Sequence, residues 1–407
     1  MKVTVGYDAF IFSQVRSRPG YREAIIRRSN SMIILSCFFP NVEYIITDDV
    51  SSKETERTGM NPSFNCIATG IGSLPIADAD QAAALSLQYL PEAPFWPQLP
   101  QRDFREHMDV QYSETLPGLI VDDVKKRVYF DTSRDPLPEL EKFFERYLEK
   151  DYNFFRITEA YAAGFPAFIR AMKKGLPHGM RFVKGHITGP LTAGTSFRDE
   201  TGKDIIHNEM LFDAVVKGLA MKAAWQIQEL RQFGKPIIIF IDEPAMESLG
   251  SAFSAVSSEV VAEKLNEIID TIHELGGIAG IHCCGNADWP MIFNTRVDIV
   301  NFDAFGYMER VLLYPGDIKK FFSRGGALAW GVVPTGAFTG SETADQLMTK
   351  LEEGMKRLEK EGVDRATILR QCLITPSCGM GSLTPEKAEA ILKLLREVSV
   401  RMQQSIV

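Results

Sequence analysis

Eight short apolar segments, each followed by a longer helical pattern, recur from about residue 64 onward, and this alternation constrains the fold most strongly. The predicted strands lie at 66–72, 119–121, 181–188, 236–242, 277–283, 297–303, 326–332 and 371–375. Several of them are almost continuously apolar, which is typical of parallel strands buried on both faces. The alternation predicts an α/β fold of the (β/α)8 TIM-barrel type, with an open doubly wound sheet as the alternative.

Helical patterns fill the intervals between these strands. They cover residues 79–90, 138–173 (as two helices), 204–233, 258–275, 315–322, 343–360 and 385–402. No Gly-x-Gly-x-x-Gly motif follows the first strand, which argues against a dinucleotide-binding sheet and in favour of the barrel.

Two segments do not follow the repeat. Residues 1–63 are predicted to be an N-terminal extension to a catalytic barrel that occupies residues 64–407. The extension is a small added layer, a plug for the bottom of the barrel, or a poorly ordered segment. Residues 91–135 are rich in proline, aromatic and charged residues. They predict a long excursion over the barrel mouth in the second β/α unit, with a hairpin at 119–131, that either covers a substrate or packs onto the barrel.

Charge and hydropathy exclude several classes of protein. The net charge is −8 and basic residues occur only in short groups, which argues against a nucleic-acid-binding surface. The longest strongly apolar run, at 32–39, is too short to span a bilayer, and no signal-peptide pattern is apparent. We therefore expect a soluble, cytoplasmic protein that binds neither nucleic acid nor membranes.

The most informative pattern in the sequence consists of one histidine and two cysteines. His282 and Cys284 end the fifth predicted strand two positions apart, so their side chains share one face while Cys283 faces the other way. Cys378 follows the eighth predicted strand, and the carboxyl ends of all barrel strands meet at one face. One nitrogen and two sulfur donors suit zinc, with a fourth position left for another ligand.

Two interpretations of this pattern stay open on the residues alone. Free cysteine is often buried as a small hydrophobic residue, so the three side chains can also belong to the core. The other interpretation is that they bind zinc. A thiol with a pKa of about 8.5 is mostly protonated at neutral pH, and coordination to zinc deprotonates it. Asp303, at the end of the sixth predicted strand, is the nearest carboxylate that could complete such a site.

Polar side chains at three other strand ends extend the predicted site. Asp242 and Glu243 end the fourth strand, where a carboxylate suits a substrate ammonium group or proton handling. Alternatively, Glu243 pairs with a neighbouring arginine or lysine. Ser73 follows a glycine-rich end of the first strand, and its hydroxyl and amide groups can hold a carboxylate. His186 and Thr188 end the third strand, where a lone histidine is more often structural.

Five motifs, taken in order along the chain, resemble those of a known family. The segments "IGSLP", "TGPLT", "IDEPAM", "HCC" and "PSCGMGSLTPE" are similar to motifs of the C-terminal catalytic barrel of cobalamin-independent methionine synthase. That barrel belongs to a superfamily with uroporphyrinogen decarboxylase and the zinc methyltransferases that use a corrinoid. The resemblance covers residues 64–402.

The resemblance implies roles for particular residues. Matched position by position, the implied zinc ligands are His282, Cys284 and Cys378, and the implied homocysteine-binding residues are Ser73 and Asp242. The family's carboxylate zinc ligand falls near Asp303, a shorter acid than the glutamate of the synthase. Its second substrate-amine carboxylate lies in the second β/α unit, where Glu114 is the match.

The implied activity is zinc-dependent S-methyl transfer onto a small thiol, with homocysteine converted to methionine. The implied methyl donor is a methyl-folate or a methylated corrinoid carried by a partner protein. Two alternatives are a corrinoid-dependent coenzyme M methyltransferase and a non-catalytic barrel that binds zinc or thiols.

Overall fold

A computed structural model of the chain describes residues 63–248 and 256–405 and, before them, the backbone of three strands. These strands, β1 (Ile25–Ser29), β2 (Met32–Phe39) and β3 (Val42–Thr47), form an antiparallel sheet in the order β1-β2-β3. The chain divides into two compact units, Met1–Asn61 and Pro62–Val407. Residues 1–24 and 48–62 lie outside the described part, so the three alternatives for the extension stay predictions.

A seven-stranded parallel sheet lies at the centre of the second unit. The strands of this unit, in chain order, are β4 (Ile67–Ala68), β5 (Leu119–Asp122), β6 (Arg127–Phe130), β7 (Val183–Thr188), β8 (Ile237–Asp242), β9 (Ile278–Cys283), β10 (Ile299–Phe302), β11 (Ala327–Val333) and β12 (Cys372–Pro376). The sheet order is β4-β12-β11-β10-β9-β8-β7. All of its pairings are parallel, so the carboxyl ends of the strands lie at one edge, as predicted.

Helices follow the strands and cover the sheet. Their bounds are α1 (Ala79–Tyr89), α2 (Leu137–Leu148), α3 (Gly164–Lys174), α4 (Pro190–Ser196), α5 (Glu209–Leu230), α6 (Ser258–Glu274), α7 (Trp289–Asn294), α8 (Met308–Val311), α9 (Pro315–Ser323), α10 (Ala344–Lys360), α11 (Arg365–Arg370) and α12 (Pro385–Gln404). Every predicted helix is present, and the additional helices α4, α7, α8 and α11 are all short. In the described segments, none of the helices combines the length and the apolar character that crossing a membrane requires.

The strand predicted at 119–121 does not belong to the parallel sheet. Strand β5 pairs antiparallel with β6, so the predicted hairpin at 119–131 is confirmed and the predicted barrel strand is wrong. Each residue of β5 is only partly buried. A strand in the middle of a parallel sheet is buried on both faces, and this polar-flanked segment does not provide that.

A different segment, before β5, makes backbone hydrogen bonds to edge strand β7 and to the chain just beyond β4. At the β7 edge, the backbone N–H of Trp96 donates to the Lys184 carbonyl at 3.3 Å, and the backbone N–H of Lys184 donates to the Pro94 carbonyl at 2.9 Å. Beyond β4, the Gln98 N–H donates to the Gly72 carbonyl at 3.0 Å. Pro94 and Pro97 in this segment lack a backbone N–H donor, so the sequence does not predict a regular strand here.

Among the described residues, two apolar clusters form the core of this unit. The smaller cluster includes Phe182, Ile238, Phe240, Ile299 and Leu373, all almost fully buried. Gly280 is required beside it, because a Cβ atom there would lie 2.3 Å from the Phe240 ring. Four of these five residues lie in the parallel strands β8, β10 and β12.

Candidate metal centre

Three donor atoms converge at the carboxyl end of the sheet. One ring nitrogen of His282 and the sulfur atoms of Cys284 and Cys378 all lie within 4.8 Å of one another. Donors around one tetrahedral zinc ion are roughly 3.3–3.8 Å apart, so small side-chain rotations would bring these three into range. Cys283 points to the opposite face, as the alternation predicts, and burial raises the pKa of its thiol to about 12.

The His282 ring is held from one side. Its Nδ1 lies 2.5 Å from Oδ1 of Asn301, which is paired in register with it on β10. The amide nitrogen of Asn301 donates to the Ala329 carbonyl at 2.8 Å and to the Thr375 hydroxyl at 2.7 Å. The other ring nitrogen, Nε2, is buried and has no hydrogen-bond partner. That orphaned nitrogen is the atom available to a metal ion.

The thiols of Cys284 and Cys378 shift each other's pKa in opposite directions. A hydrogen bond from Cys378 lowers the pKa of Cys284 to about 4, with further help from His282. The same hydrogen bond, together with burial, raises the pKa of Cys378 far above its usual value. Although burial favours the neutral imidazole, the neighbouring Cys284 thiolate raises the pKa of His282. The Cys284 thiolate is therefore a negative charge that a bound cation would neutralise.

A cavity of about 460 Å³ opens onto these donors. Its lining residues come from four strand ends and the excursion: Ile71, Ser73, Gln98, Pro100, Gln101, His107, Met108, Asp109, Asp242, Pro244, His282, Cys284, Cys378, Gly379, Gly381 and Ser382. Among the residues that the structure describes, none that line the cavity is a lysine or an arginine.

Ser73 and Asp242 lie at this cavity together with the three donors. The Ser73 hydroxyl accepts the Gly381 N–H at 3.1 Å, which fastens the first-strand turn to the loop carrying Cys378. Gly379 is required in that loop, because a Cβ atom would lie 2.3 Å from the Ser73 hydroxyl. Burial raises the pKa of Asp242 to about 6, and its Oδ1 atom is buried without a partner.

Two predicted site residues lie outside the three-donor group. Glu114 does not line the cavity, since its carboxylate accepts the backbone N–H and hydroxyl of Thr158 at 2.7 and 2.8 Å. Asp303 is not in the group of mutually close donors, and its Oδ1 accepts the Gly306 N–H at 2.7 Å. Burial and the nearby Cys284 raise the pKa of Asp303, so its carboxyl group lies within electrostatic range of the donors. Its role as a fourth ligand stays a prediction.

Glu243 supports the site without entering the cavity. It is fully buried and accepts the backbone N–H groups of Leu191 and Thr192 at 2.8 and 2.9 Å. Both donors lie in the first turn of α4, so the carboxylate caps that helix. Burial raises its pKa to about 7. The predicted pairing with an arginine or lysine is thus replaced by a helix N-terminus.

Sequence reasoning named His186 but missed Lys184, and both belong to a buried polar layer beneath the cavity. Lys184 is fully buried, donates to the Ile71 carbonyl at 2.5 Å and lies 4.2 Å from the centre of the Phe240 ring. Burial lowers its pKa to about 7. His186 stacks on Trp96 with ring centres 4.0 Å apart, and neither ring nitrogen has a partner. The alternation of polar residues within β7 was the signal for this layer.

The excursion supplies one wall of the cavity. Gln98, His107, Met108 and Asp109 line it, and the Thr188 hydroxyl at the end of β7 donates to the Met108 carbonyl. The predicted position of this segment at the mouth of the strands therefore agrees with the structure.

Comparisons with known proteins give two similarities to methionine synthases. A curated protein named methionine synthase, from Methanocaldococcus jannaschii, is 27% identical over 222 residues, which are 53% of this chain and 64% of that protein. The chain thus covers less than two thirds of the relative's length. A solved B12-independent methionine synthase from Shewanella sp. W3-18-1, in complex with selenomethionine, is 16% identical and has a TM-score of 0.52. That match covers 83% of this chain and 98% of the other.

No family model matches the sequence. The structural match shows a shared α/β fold, and the curated match gives the motif resemblance independent support. Both confirm that the chain resembles the methionine-synthase catalytic domain.

Proposed function

We propose that this protein is a zinc-dependent S-methyltransferase that converts homocysteine to methionine. The observation that carries the proposal is the convergence of His282, Cys284 and Cys378 on a cavity that Ser73 and Asp242 also line. Similarity to a curated methionine synthase supports the reaction class. Because that match covers 64% of the relative, the activity and the substrates are all part of the proposal.

The donor set fits zinc on chemical grounds. One imidazole nitrogen and two thiol sulfurs are ligands that zinc accepts, and the buried Nε2 of His282 lacks any other partner. When bound, zinc would supply a Lewis acid that keeps the sulfur of a thiol substrate ionised at neutral pH. Zinc hydrolases more often combine histidine and carboxylate ligands with a general base, and the three-donor group holds no carboxylate.

The charge of the cavity favours an aminothiol as acceptor. The unpartnered Oδ1 of Asp242 can accept an ammonium group, and the Ser73 hydroxyl can donate its proton to a substrate carboxylate. Coenzyme M carries a sulfonate and no amine, and it would face Asp109 and Asp242 with no lysine or arginine in the lining. Homocysteine is therefore the proposed substrate, with coenzyme M as the runner-up.

Methyl transfer requires alignment more than acid–base catalysis at the acceptor. A new sulfur–carbon bond forms as the bond between the methyl carbon and its donor atom breaks, and the thiol proton ends on the donor product through solvent. Asp242 and Ser73 would orient the acceptor for in-line attack. A methyl-folate is the proposed donor, since the similar solved structure is named a B12-independent enzyme. A corrinoid partner protein has no support from the comparisons.

We also propose that the sheet closes into a (β/α)8 barrel. What supports closure is the segment before β5, whose backbone hydrogen bonds reach Lys184 at one edge of the sheet and Gly72 beyond the other. In this arrangement the segment takes the place of the second barrel strand. The metal centre and the substrate side chains would then lie at the mouth of the barrel, where such enzymes place their active sites.

A methyl-transfer assay tests the proposal. Purified zinc-loaded protein is incubated with homocysteine and either methyl-folate or methylcobalamin, and methionine is measured by mass spectrometry. We expect methionine from methyl-folate, its loss in Cys378→Ser, and its retention in Cys283→Ala. Zinc binding without methionine formation from either donor would instead indicate the non-catalytic zinc-binding alternative.

A further inference from the structure

The Asn301 side chain is fully buried in the layer just below the metal centre. Its two amide hydrogens already have acceptors, the Ala329 carbonyl and the Thr375 hydroxyl. A backbone carbonyl accepts hydrogen bonds and cannot donate them. The contact with Ala329 therefore fixes which end of the amide is the nitrogen, and the oxygen must face His282.

This orientation determines the proton on the imidazole. The Asn301 oxygen has no hydrogen to give, so the 2.5 Å contact with His282 Nδ1 requires that Nδ1 carry the hydrogen and donate it. In the neutral ring, Nε2 then presents a lone pair. Nε2 is the buried, unpartnered nitrogen, and it belongs to the residue grouped with Cys284 and Cys378.

We propose that Asn301 is a positioning residue that holds His282 as its Nδ1-protonated tautomer, with Nε2 bare toward the two thiols. The effect on metal binding rests on the proposed function, whereas the tautomer itself does not. The imidazole is neutral in both tautomers, so its charge does not change. Without the Asn301 acceptor, either nitrogen of a neutral imidazole can carry the proton, and the population with a bare Nε2 falls.

The same amide also connects the strands that bear the ligands. It joins His282 on β9, through β10, to Ala329 on β11 and Thr375 on β12. Thr375 lies three residues before Cys378. Asn301 thus fixes the tautomer of His282 and also helps to set the distance between its imidazole and the Cys378 thiol. Outer partners of metal-binding histidines commonly orient the ring in this way.

The tautomer can be read directly by NMR. Long-range 1H–15N spectra of 15N-histidine-labelled, zinc-free protein are recorded where the imidazole is neutral, and His282→Gln identifies the signal among the six histidines. We expect the Nδ1-protonated pattern in the wild type and in Asn301→Asp, which keeps an oxygen acceptor. Asn301→Leu should show a substantial Nε2-protonated population. An Nε2-protonated wild type, or an unchanged tautomer in Asn301→Leu, would overturn the proposal.

Zinc affinity provides the second measurement. Chelator competition should show a 10- to 100-fold weaker zinc affinity in Asn301→Leu, the typical cost of losing such a partner. Thr375→Val is the matched control, because it removes one acceptor of the Asn301 amide and leaves the Ala329 contact, and it should change affinity by less than about threefold. Equal losses in both variants would assign Asn301 a merely structural role. A wild type that binds no zinc would defeat the proposed function while leaving the tautomer result intact.

Discussion

Asp242 and His282 are paired in register across the neighbouring parallel strands β8 and β9, so their side chains project from the same face of the sheet. Oδ1 of Asp242 and Nε2 of His282 are both buried without a hydrogen-bond partner in the described structure. Leaving a buried polar atom unpaired costs about 1–3 kcal/mol, and such atoms commonly mark ligand sites. The pair therefore marks two adjacent binding positions, one for a metal ion and one for a cationic substrate group.

Replacing Asp242 with alanine should weaken homocysteine binding about 10- to 100-fold, because a hydrogen bond to a charged group contributes about 1.5–3 kcal/mol. A thiol without an amine, such as coenzyme M, should bind no more weakly than to the wild type. Isothermal titration calorimetry with both thiols measures the difference. An unaltered homocysteine affinity, or an equal loss for both thiols, would contradict the assignment of Asp242 to the ammonium group.

Replacing Cys378 with serine should abolish stoichiometric zinc binding, because it removes one of the two sulfur donors. Cys283→Ala is the matched control, since Cys283 is a buried neighbour whose side chain projects from the opposite face of β9. It should retain full zinc and lose only packing free energy, about 1 kcal/mol. Plasma emission spectrometry after dialysis gives the metal content. Equal zinc in all three proteins would rule out Cys378 as a ligand.

Asp303→Ala should leave zinc content unchanged, because the three mutually close donors do not include Asp303, whose Oδ1 accepts the Gly306 N–H. Its loss should reduce the free energy of unfolding by about 1 kcal/mol, the usual contribution of one hydrogen bond. Metal analysis and chemical denaturation measure the two effects separately. Loss of zinc from this variant would restore Asp303 as a fourth ligand, the role that the family resemblance implies.

The buried carboxyl group of Glu243 should make stability depend on pH. Its pKa is raised from 4.5 to about 7 in the folded protein. Its stabilising contribution is therefore complete below about pH 4.5 and is lost as the pH rises to about 7, by at most about 3 kcal/mol. The stability advantage of the wild type over Glu243→Gln should shrink across this range.

Urea denaturation at pH 5, 6, 7 and 8 measures that advantage. Glu141→Gln alters an exposed glutamate of α2 and should reproduce the pH dependence of the wild type. If the difference between the wild type and Glu243→Gln does not change between pH 5 and 8, the Glu243 carboxyl group is not the source of the dependence.

The parts of the site that follow strict local rules could be predicted from the sequence. Two-residue alternation places His282 and Cys284 on one face, and parallel strands bring Cys378 to the same edge. Asp242 and Ser73 follow from the same rule, because they end or follow strands whose apolar pattern is unambiguous. Strand ends in a parallel sheet are thus the places where local pattern and site position coincide.

The strand of the second β/α unit could not be predicted, because Pro94 and Pro97 interrupt the sequence pattern of a strand. The backbone of this segment nevertheless makes strand-like hydrogen bonds. A weaker apolar segment at 119–121 was predicted as the second strand instead. Asn301 was missed for another reason. Its contacts lie 19, 28 and 74 residues away in the sequence, so no local pattern distinguishes it from any buried asparagine.

The most direct test of the account is zinc K-edge X-ray absorption of the purified full-length protein. The account predicts one bound zinc ion with two sulfur ligands at about 2.3 Å and at least one nitrogen at about 2.0–2.1 Å. One sulfur ligand should be lost in Cys284→Ser, if that variant retains metal, and none in Cys283→Ala. A protein that binds no zinc, or a zinc ion with no sulfur ligands, would contradict it.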